Sequence, residues 1–124
     1  MLQPFAIQFT LCILYRMSTD RLEALQQFYE EDPSDSFTRF ALAQEHLKQG
    51  ETQRALELFE GLVEDDPEYT GTYYHLAGLY QRLGRREDAI QTYKKGIEQA
   101  RSQRHTKDLS ELQDALMNLE IADE

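Results

Sequence analysis

The sequence predicts an all-α fold of about six helices, arranged as antiparallel pairs. Two observations predict it. The chain repeats itself with a period of 34 residues, and its apolar side chains recur at spacings of three and four, as along one face of a helix. Only three prolines and six glycines interrupt the 124 residues, so helices of about ten residues or more fit between them.

The first sixteen residues precede the repeat. Their apolar stretch is too short to span a bilayer as a helix, and it lacks the basic start and small-residue cleavage site of a signal peptide. We predict that residues 1–16 are an apolar N-terminal extension outside the fold, and that residues 17–124 form a single domain. Apolar side chains occupy every second position from Phe5 to Ile13, a pattern typical of a β-strand. The alternative interpretation is therefore that this segment associates with a membrane or with another copy of itself.

The repeat is visible as identities between two consecutive segments. A shift of 34 residues aligns residues 33–66 with residues 67–100 and gives seven identities, where chance would give roughly two. The identical pairs are Pro33/Pro67, Thr38/Thr72, Leu42/Leu76, Ala43/Ala77, Gly50/Gly84, Ala55/Ala89 and Glu64/Glu98.

The repeated residues have distinct structural purposes. A proline cannot continue a helix, and each repeated proline follows an acidic run, so the two prolines predict helix ends. Gly50 and Gly84 lie where a tight turn between helices needs a positive φ. Ala55 and Ala89 follow those turns, and a small side chain there lets two helices approach closely. Each repeat is therefore predicted to be a helix, a turn and an antiparallel helix.

This pattern resembles the tetratricopeptide repeat, a helix pair with aromatic, leucine and small residues at fixed places in a 34-residue frame. The second repeat fits at Tyr73, Leu76, Ala77, Tyr80, Ala89, Tyr93 and Gly96, and the first at Leu42, Ala43, Ala55, Phe59 and Pro67. The first repeat departs from the pattern at Arg39, His46 and Leu62. The resemblance implies an α-solenoid, in which antiparallel helix pairs stack into a right-handed superhelix.

The same frame extends to both ends of the domain. Residues 20–31 match the second helix of an incomplete repeat, residues 34–67 are repeat one, and residues 68–101 are repeat two. Residues 106–121 match a first-type helix once two residues are inserted, and we expect a C-terminal capping helix there with Thr106 as its N-cap. The predicted helices lie near 20–31, 35–49, 53–65, 69–83, 87–101 and 107–120.

Charge limits the classes of partner. The net charge of −10 makes nucleic acid and anionic membranes poor partners, because phosphate binding needs positive surface. The charge is also segregated: residues 82–107 carry eight bases and three acids, between two acidic segments. The favoured interpretation is that this basic helix packs between acidic neighbours, and the alternative is a basic patch for an acidic partner.

No motif for catalysis or metal binding is present. The chain has no glycine-rich phosphate loop, no HExxH sequence and no paired cysteines, and its single cysteine, Cys12, cannot form an internal disulfide. Its three histidines, His46, His75 and His105, are widely separated in the sequence. We therefore predict that the protein is not an enzyme and that it uses no cofactor and no metal.

The resemblance implies a protein-binding function instead. Members of the family bind extended peptides or helices on a concave surface formed by the first helix of each repeat, and the positions of this chain that match it are Phe37, Phe40, Gln44 and Lys48 in repeat one and Tyr74, His75, Gly78 and Arg82 in repeat two. Two cations beside aromatic residues suit a partner with apolar side chains and an acidic group. The structural alternative is that these aromatic residues pack inside the domain.

We predict a non-enzymatic adaptor in the cytoplasm that binds another protein through a peptide or a helix. Neither nucleic acid nor a membrane is expected as a partner. The alternative from a different class is a structural module that associates weakly with further copies of itself, through the apolar extension or through the groove.

Overall fold

The computed structural model describes residues 20–122, and these residues form six helices with no strand among them. The first, α1, covers residues 20–31, and the others are α2 (Ser36–Lys48), α3 (Thr52–Asp65), α4 (Gly71–Arg82), α5 (Arg86–Ser102) and α6 (Thr106–Ala122). The all-α prediction is confirmed. Residues 1–16, predicted to lie outside the fold, are not among the described residues, and the single-domain arrangement stays a prediction.

The helix ends follow from local chemistry. Asp35 precedes α2 as its N-cap, because its carboxylate accepts a hydrogen bond from the backbone N–H of Thr38 over 2.9 Å. The prediction that Thr106 caps the last helix is wrong by one residue. Thr106 is already the first helical residue of α6, and His105 precedes it. His105 is therefore the N-cap of α6, since its carbonyl accepts the first hydrogen bond of the helix, from the N–H of Leu109 over 2.9 Å.

The turns after α2 and α4 confirm the role of the repeated glycines. Gly50 and Gly84 have φ values of +81° and +75°, which a residue with a Cβ adopts only at a cost. In both turns the residue after the glycine donates a hydrogen bond back into the helix: Glu51 to the carbonyl of His46, and Arg85 to that of Tyr80. In the second unit the chain therefore turns back within the three residues between Arg82 and Arg86, so that α5 packs against α4.

The chain divides into two compact units within α3, one ending at Ala55 and the other beginning at Leu56. In the first unit, the guanidinium of Arg21 on α1 lies 3.0 Å from the buried carboxylate of Glu45 on α2. His46 is also buried, and its Nδ1 lies 3.2 Å from a carboxylate oxygen of Glu51. These polar contacts hold α1 to α2 and α2 to the turn that follows it.

In the second unit, α5 packs against both α4 and α6. The three helices meet at Gly96, where an added Cβ would lie 2.6 Å from the Cβ of Tyr73 on α4 and 3.1 Å from a methyl group of Leu112 on α6. Tyr73 and Leu112 are each only 1% exposed. The hydroxyl of Tyr73 donates a hydrogen bond to the carbonyl of Pro67 over 2.7 Å, so this buried ring leaves no unmet donor.

None of the helices in residues 20–122 combines the length and the apolar character that a membrane crossing requires.

Two glycines give a matched test of this packing. Gly96→Ala places a methyl group against the Cβ of Tyr73, which cannot move without its backbone, so we expect a loss of about 1–3 kcal/mol in the free energy of unfolding. In Gly78→Ala the added methyl group meets no atom within 4 Å outside its chain neighbours and the backbone of α4, so we expect a gain of about 0.5–1 kcal/mol from helix propensity. Urea unfolding of both variants measures the difference, and equal stabilities would contradict the close approach at Gly96.

Candidate functional site

A buried hydroxyl connects the N-terminal ends of α4 and α6. Thr70 precedes α4, is 4% exposed, and donates its hydroxyl proton to a carboxylate oxygen of Asp108 on α6 over 2.5 Å. The Nδ1 of His105 lies 3.0 Å from the same hydroxyl oxygen. Since the hydroxyl proton is already given to Asp108, the Nδ1–H of His105 is the donor in this second contact. The network fixes the start of α6 beside the start of α4.

A second contact joins the same two loops. The side-chain amide of Gln103 donates a hydrogen bond to the backbone carbonyl of Glu68 over 3.0 Å. Together with the packing of Leu112, these bonds hold α6 alongside α4, although the two helices are separated in sequence by α5. Side chains from both helices can therefore form one surface.

The surface between α4 and α6 contains an open hollow of about 340 Å³, which we call the α4–α6 groove. It is lined by Tyr74, Glu111, Asp114, Ala115 and Asn118. The Tyr74 side chain is 45% exposed, which is high for a large aromatic residue in a folded domain. An exposed aromatic ring beside a hollow is a typical anchor point in protein interfaces.

The predicted residues of α4 lie along this groove or beside it. The ring of His75 packs edge-on against Tyr74, with 5.7 Å between centroids, and stacks on the buried ring of Phe59, with 6.2 Å between centroids. Burial lowers the pKa of His75 below its ordinary value of 6.5; Glu111 acts in the opposite direction and Arg82 in the same direction. His75 is therefore neutral at neutral pH and holds the Tyr74 ring in place.

Gly78 and Arg82 continue the same face of α4, at four and eight residues from Tyr74. Apart from the neighbouring residues and backbone of α4 itself, no atom lies within 4 Å of where a Cβ of Gly78 would be, so this part of the surface is open. Arg82 is exposed in the last turn of α4, about 12 Å along the helix axis from Tyr74. This face of α4 therefore carries the aromatic ring of Tyr74, the uncovered backbone of Gly78 and the positive charge of Arg82 near the C-terminal end of the helix.

The predicted residues of α2 belong to the first unit. Phe37 is 66% exposed, Phe40 and Gln44 are half-buried, and Lys48 is exposed. The ammonium group of Lys48 lies 3.3 Å from a carboxylate oxygen of Glu45, and that oxygen also contacts Arg21. The charge of Lys48 is therefore partly neutralised by its own helix.

The contribution of α6 to the groove was not predicted from the sequence. The one signal in the sequence is the two-residue insertion that the capping helix requires, which aligns positions of α6 with the predicted positions of α4 but does not place the two helices side by side. The aligned pairs are then Glu111/His75, Asp114/Gly78 and Asn118/Arg82. The missed residues are two acids and an amide, and they change the charge of the predicted surface.

The cluster at the N-terminal ends of α4 and α6 is not arranged for catalysis. Thr70, His105 and Asp108 are a hydroxyl, an imidazole and a carboxylate, but the hydroxyl is buried and donates directly to the carboxylate. A nucleophilic hydroxyl would instead donate to the imidazole, which in turn would be oriented by the carboxylate. Within residues 20–122, no group of three or more histidine, cysteine, aspartate or glutamate side chains is placed to hold a metal ion.

Two family models match the chain, both described as tetratricopeptide repeat, over residues 46–113 and 15–71. The first match covers more than half of the chain. The chain belongs to the tetratricopeptide repeat family. Proteins of this family commonly mediate interactions between proteins, and they are typically non-enzymatic adaptors.

Solved structures agree with this assignment. The crystal structure of a tetratricopeptide repeat domain protein from Salinibacter ruber is 64% identical, over 69% of this chain and 96% of that one, with a TM-score of 0.67. PcrH, in complex with the chaperone-binding region of PopD, has the same fold at 17% identity over 94% of this chain and 96% of its own, with a TM-score of 0.73.

The TPR2B domain of yeast Sti1, in its complex with pHsp70, also shares the fold, at 13% identity over 89% of this chain and 88% of its own, with a TM-score of 0.76. No curated protein sequence matches the chain.

The buried position of His75 predicts a pH dependence of stability. Its pKa is lowered in the folded chain, so the unfolded chain binds the proton more readily and protonation favours unfolding. The stabilising contribution is present above pH 6.5 and is lost as the pH falls from there through the folded pKa. We expect the urea midpoint of His75→Gln to fall less than that of wild type between about pH 7.5 and about pH 5. Parallel decreases in the two proteins would contradict this assignment.

Proposed function

We propose that this protein is a non-enzymatic adaptor of the cytoplasm, and that it binds an extended or helical segment of a partner protein in the α4–α6 groove. The observation that carries the proposal is the exposed ring of Tyr74 beside a hollow lined from two helices. The packing of His75 on Phe59 supports it, because a ring that is already held loses little conformational entropy when a partner binds.

Open backbone next to the aromatic ring also supports this use of the surface. A bound segment must approach α4 closely, and Gly78 provides space one helical turn from Tyr74. Members of the family commonly bind other proteins, which agrees with a bound segment of this kind. Helical grooves recognise peptides through an apolar anchor and a few polar groups.

Blocking the groove tests the proposal. Short random peptides displayed on phage are selected on the wild-type chain, and the affinities of the selected peptides are measured by fluorescence anisotropy. Tyr74→Ala removes the anchor, and we expect the affinity to fall about tenfold or more. Gly78→Leu fills the open face and should also abolish binding, with little cost to the fold.

Gln91→Leu is the matched control, because Gln91 is an exposed residue of α5 that does not line the groove. It should bind the peptides as wild type does. Circular dichroism of each variant checks that the helices are intact. Wild-type affinity in both Tyr74→Ala and Gly78→Leu would show that the groove is not the binding surface.

Weak self-association is a second candidate function, favoured by exposed apolar residues on α6. Met117 and Ile121 are 52% and 58% exposed and lie one helical turn apart, so a second copy could cover both. Light scattering over a range of concentrations should then show a mass that increases with concentration in wild type and stays monomeric in Met117→Gln with Ile121→Gln. A wild-type monomer at every concentration would contradict this candidate.

A further inference from the structure

The α4–α6 groove combines an aromatic ring with two carboxylates. Glu111 and Asp114 lie three residues apart on α6, and both line the hollow that Tyr74 borders. Within residues 20–122 neither carboxylate takes part in an ion pair. Two like charges at this spacing on a helix repel one another, so a cation placed between them would gain attraction to both.

The described basic residues of α4 and α6 are His75, Arg82 and Lys107, and none of them lines the groove. Lys107 lies four residues before Glu111 on α6, but it is exposed and forms no ion pair with Glu111. His75 is neutral at neutral pH, because burial lowers its pKa. Arg82 is exposed at the end of α4, eight residues from Tyr74, and it does not line the groove. The lining itself contains no lysine, arginine or histidine. The groove is therefore acidic, although the sequence predicted a surface that carries cations.

The ring of Tyr74 adds a second attraction for a cation. Its edge-on contact with His75, at an interplanar angle of 81°, fixes the plane of the ring while 45% of the side chain remains exposed. The face of an aromatic ring attracts a cation within about 6 Å of its centroid. A cation that enters the groove thus meets carboxylates from α6 and a ring from α4.

We propose that the α4–α6 groove binds an arginine or lysine side chain of the partner segment, with arginine preferred. The preference follows from shape: a planar guanidinium can stack on the Tyr74 ring while its N–H groups donate to the carboxylates of Glu111 and Asp114. A lysine ammonium group offers no plane to stack. This inference rests on the proposed function, since it names the chemistry of the segment that the groove receives.

The selected peptides provide the test. Arginine and lysine should be enriched in them relative to the starting library. Replacing the enriched arginine of a peptide by glutamine should weaken its binding about tenfold or more, and replacing the same arginine by lysine should weaken binding less. Glu111→Gln with Asp114→Gln should produce a loss of similar size. The affinity of wild type should also fall as salt is added, because mobile ions screen the attraction.

Glu98→Gln with Glu120→Gln is the matched control, since it removes the same charge from exposed positions outside the groove. It should keep the affinity of wild type, which separates a local effect from the overall negative charge. Peptides that lack basic residues but are still blocked by Gly78→Leu would overturn this inference and leave the proposed function standing. Wild-type affinity in the Glu111 and Asp114 double variant would also overturn it. A selection that enriches no peptide would overturn both.

Discussion

The close approach of three helices at Gly96 is the constraint on which the second unit depends. Tyr73 and Leu112 meet the backbone of α5 at a distance that leaves no room for a Cβ. Glycine in a helix interior lowers the free energy of unfolding by about 0.5–1 kcal/mol relative to alanine, so Gly96 by itself destabilises α5. What it permits is the burial of two large side chains, each worth roughly 1.5–3 kcal/mol when fully removed from water.

The groove follows from that packing. With Leu112 buried against α5, the α6 residues that line the groove are Glu111, Asp114, Ala115 and Asn118. The bonds of Thr70 with Asp108 and His105 fix the same helix at its N-terminal end. The surface between α4 and α6 is therefore set by buried and partly buried contacts, while four of its five lining residues are exposed.

The charge of the surface illustrates how neighbouring side chains change a prediction. Lys48 and Arg82 predicted attraction for an acidic partner, but Glu45 contacts Lys48 over 3.3 Å. Beside α4, the groove also carries the carboxylates of Glu111 and Asp114, which belong to α6. Since the strength of an electrostatic site depends on all charges within several ångströms, a prediction from one helix face gives an incomplete account of its preference.

The sequence by itself determined the six helices, the glycine turns and the repeat family, because each depends on local backbone chemistry or on a period that is visible in one chain. Gly50, Gly84 and the buried Ala89 were assigned from their spacing alone. Only the tertiary structure decided which side chains share the groove. The 17 residues of α5 displace α6 from the 34-residue frame, and the packing of Leu112 then sets the face that α6 presents beside Tyr74.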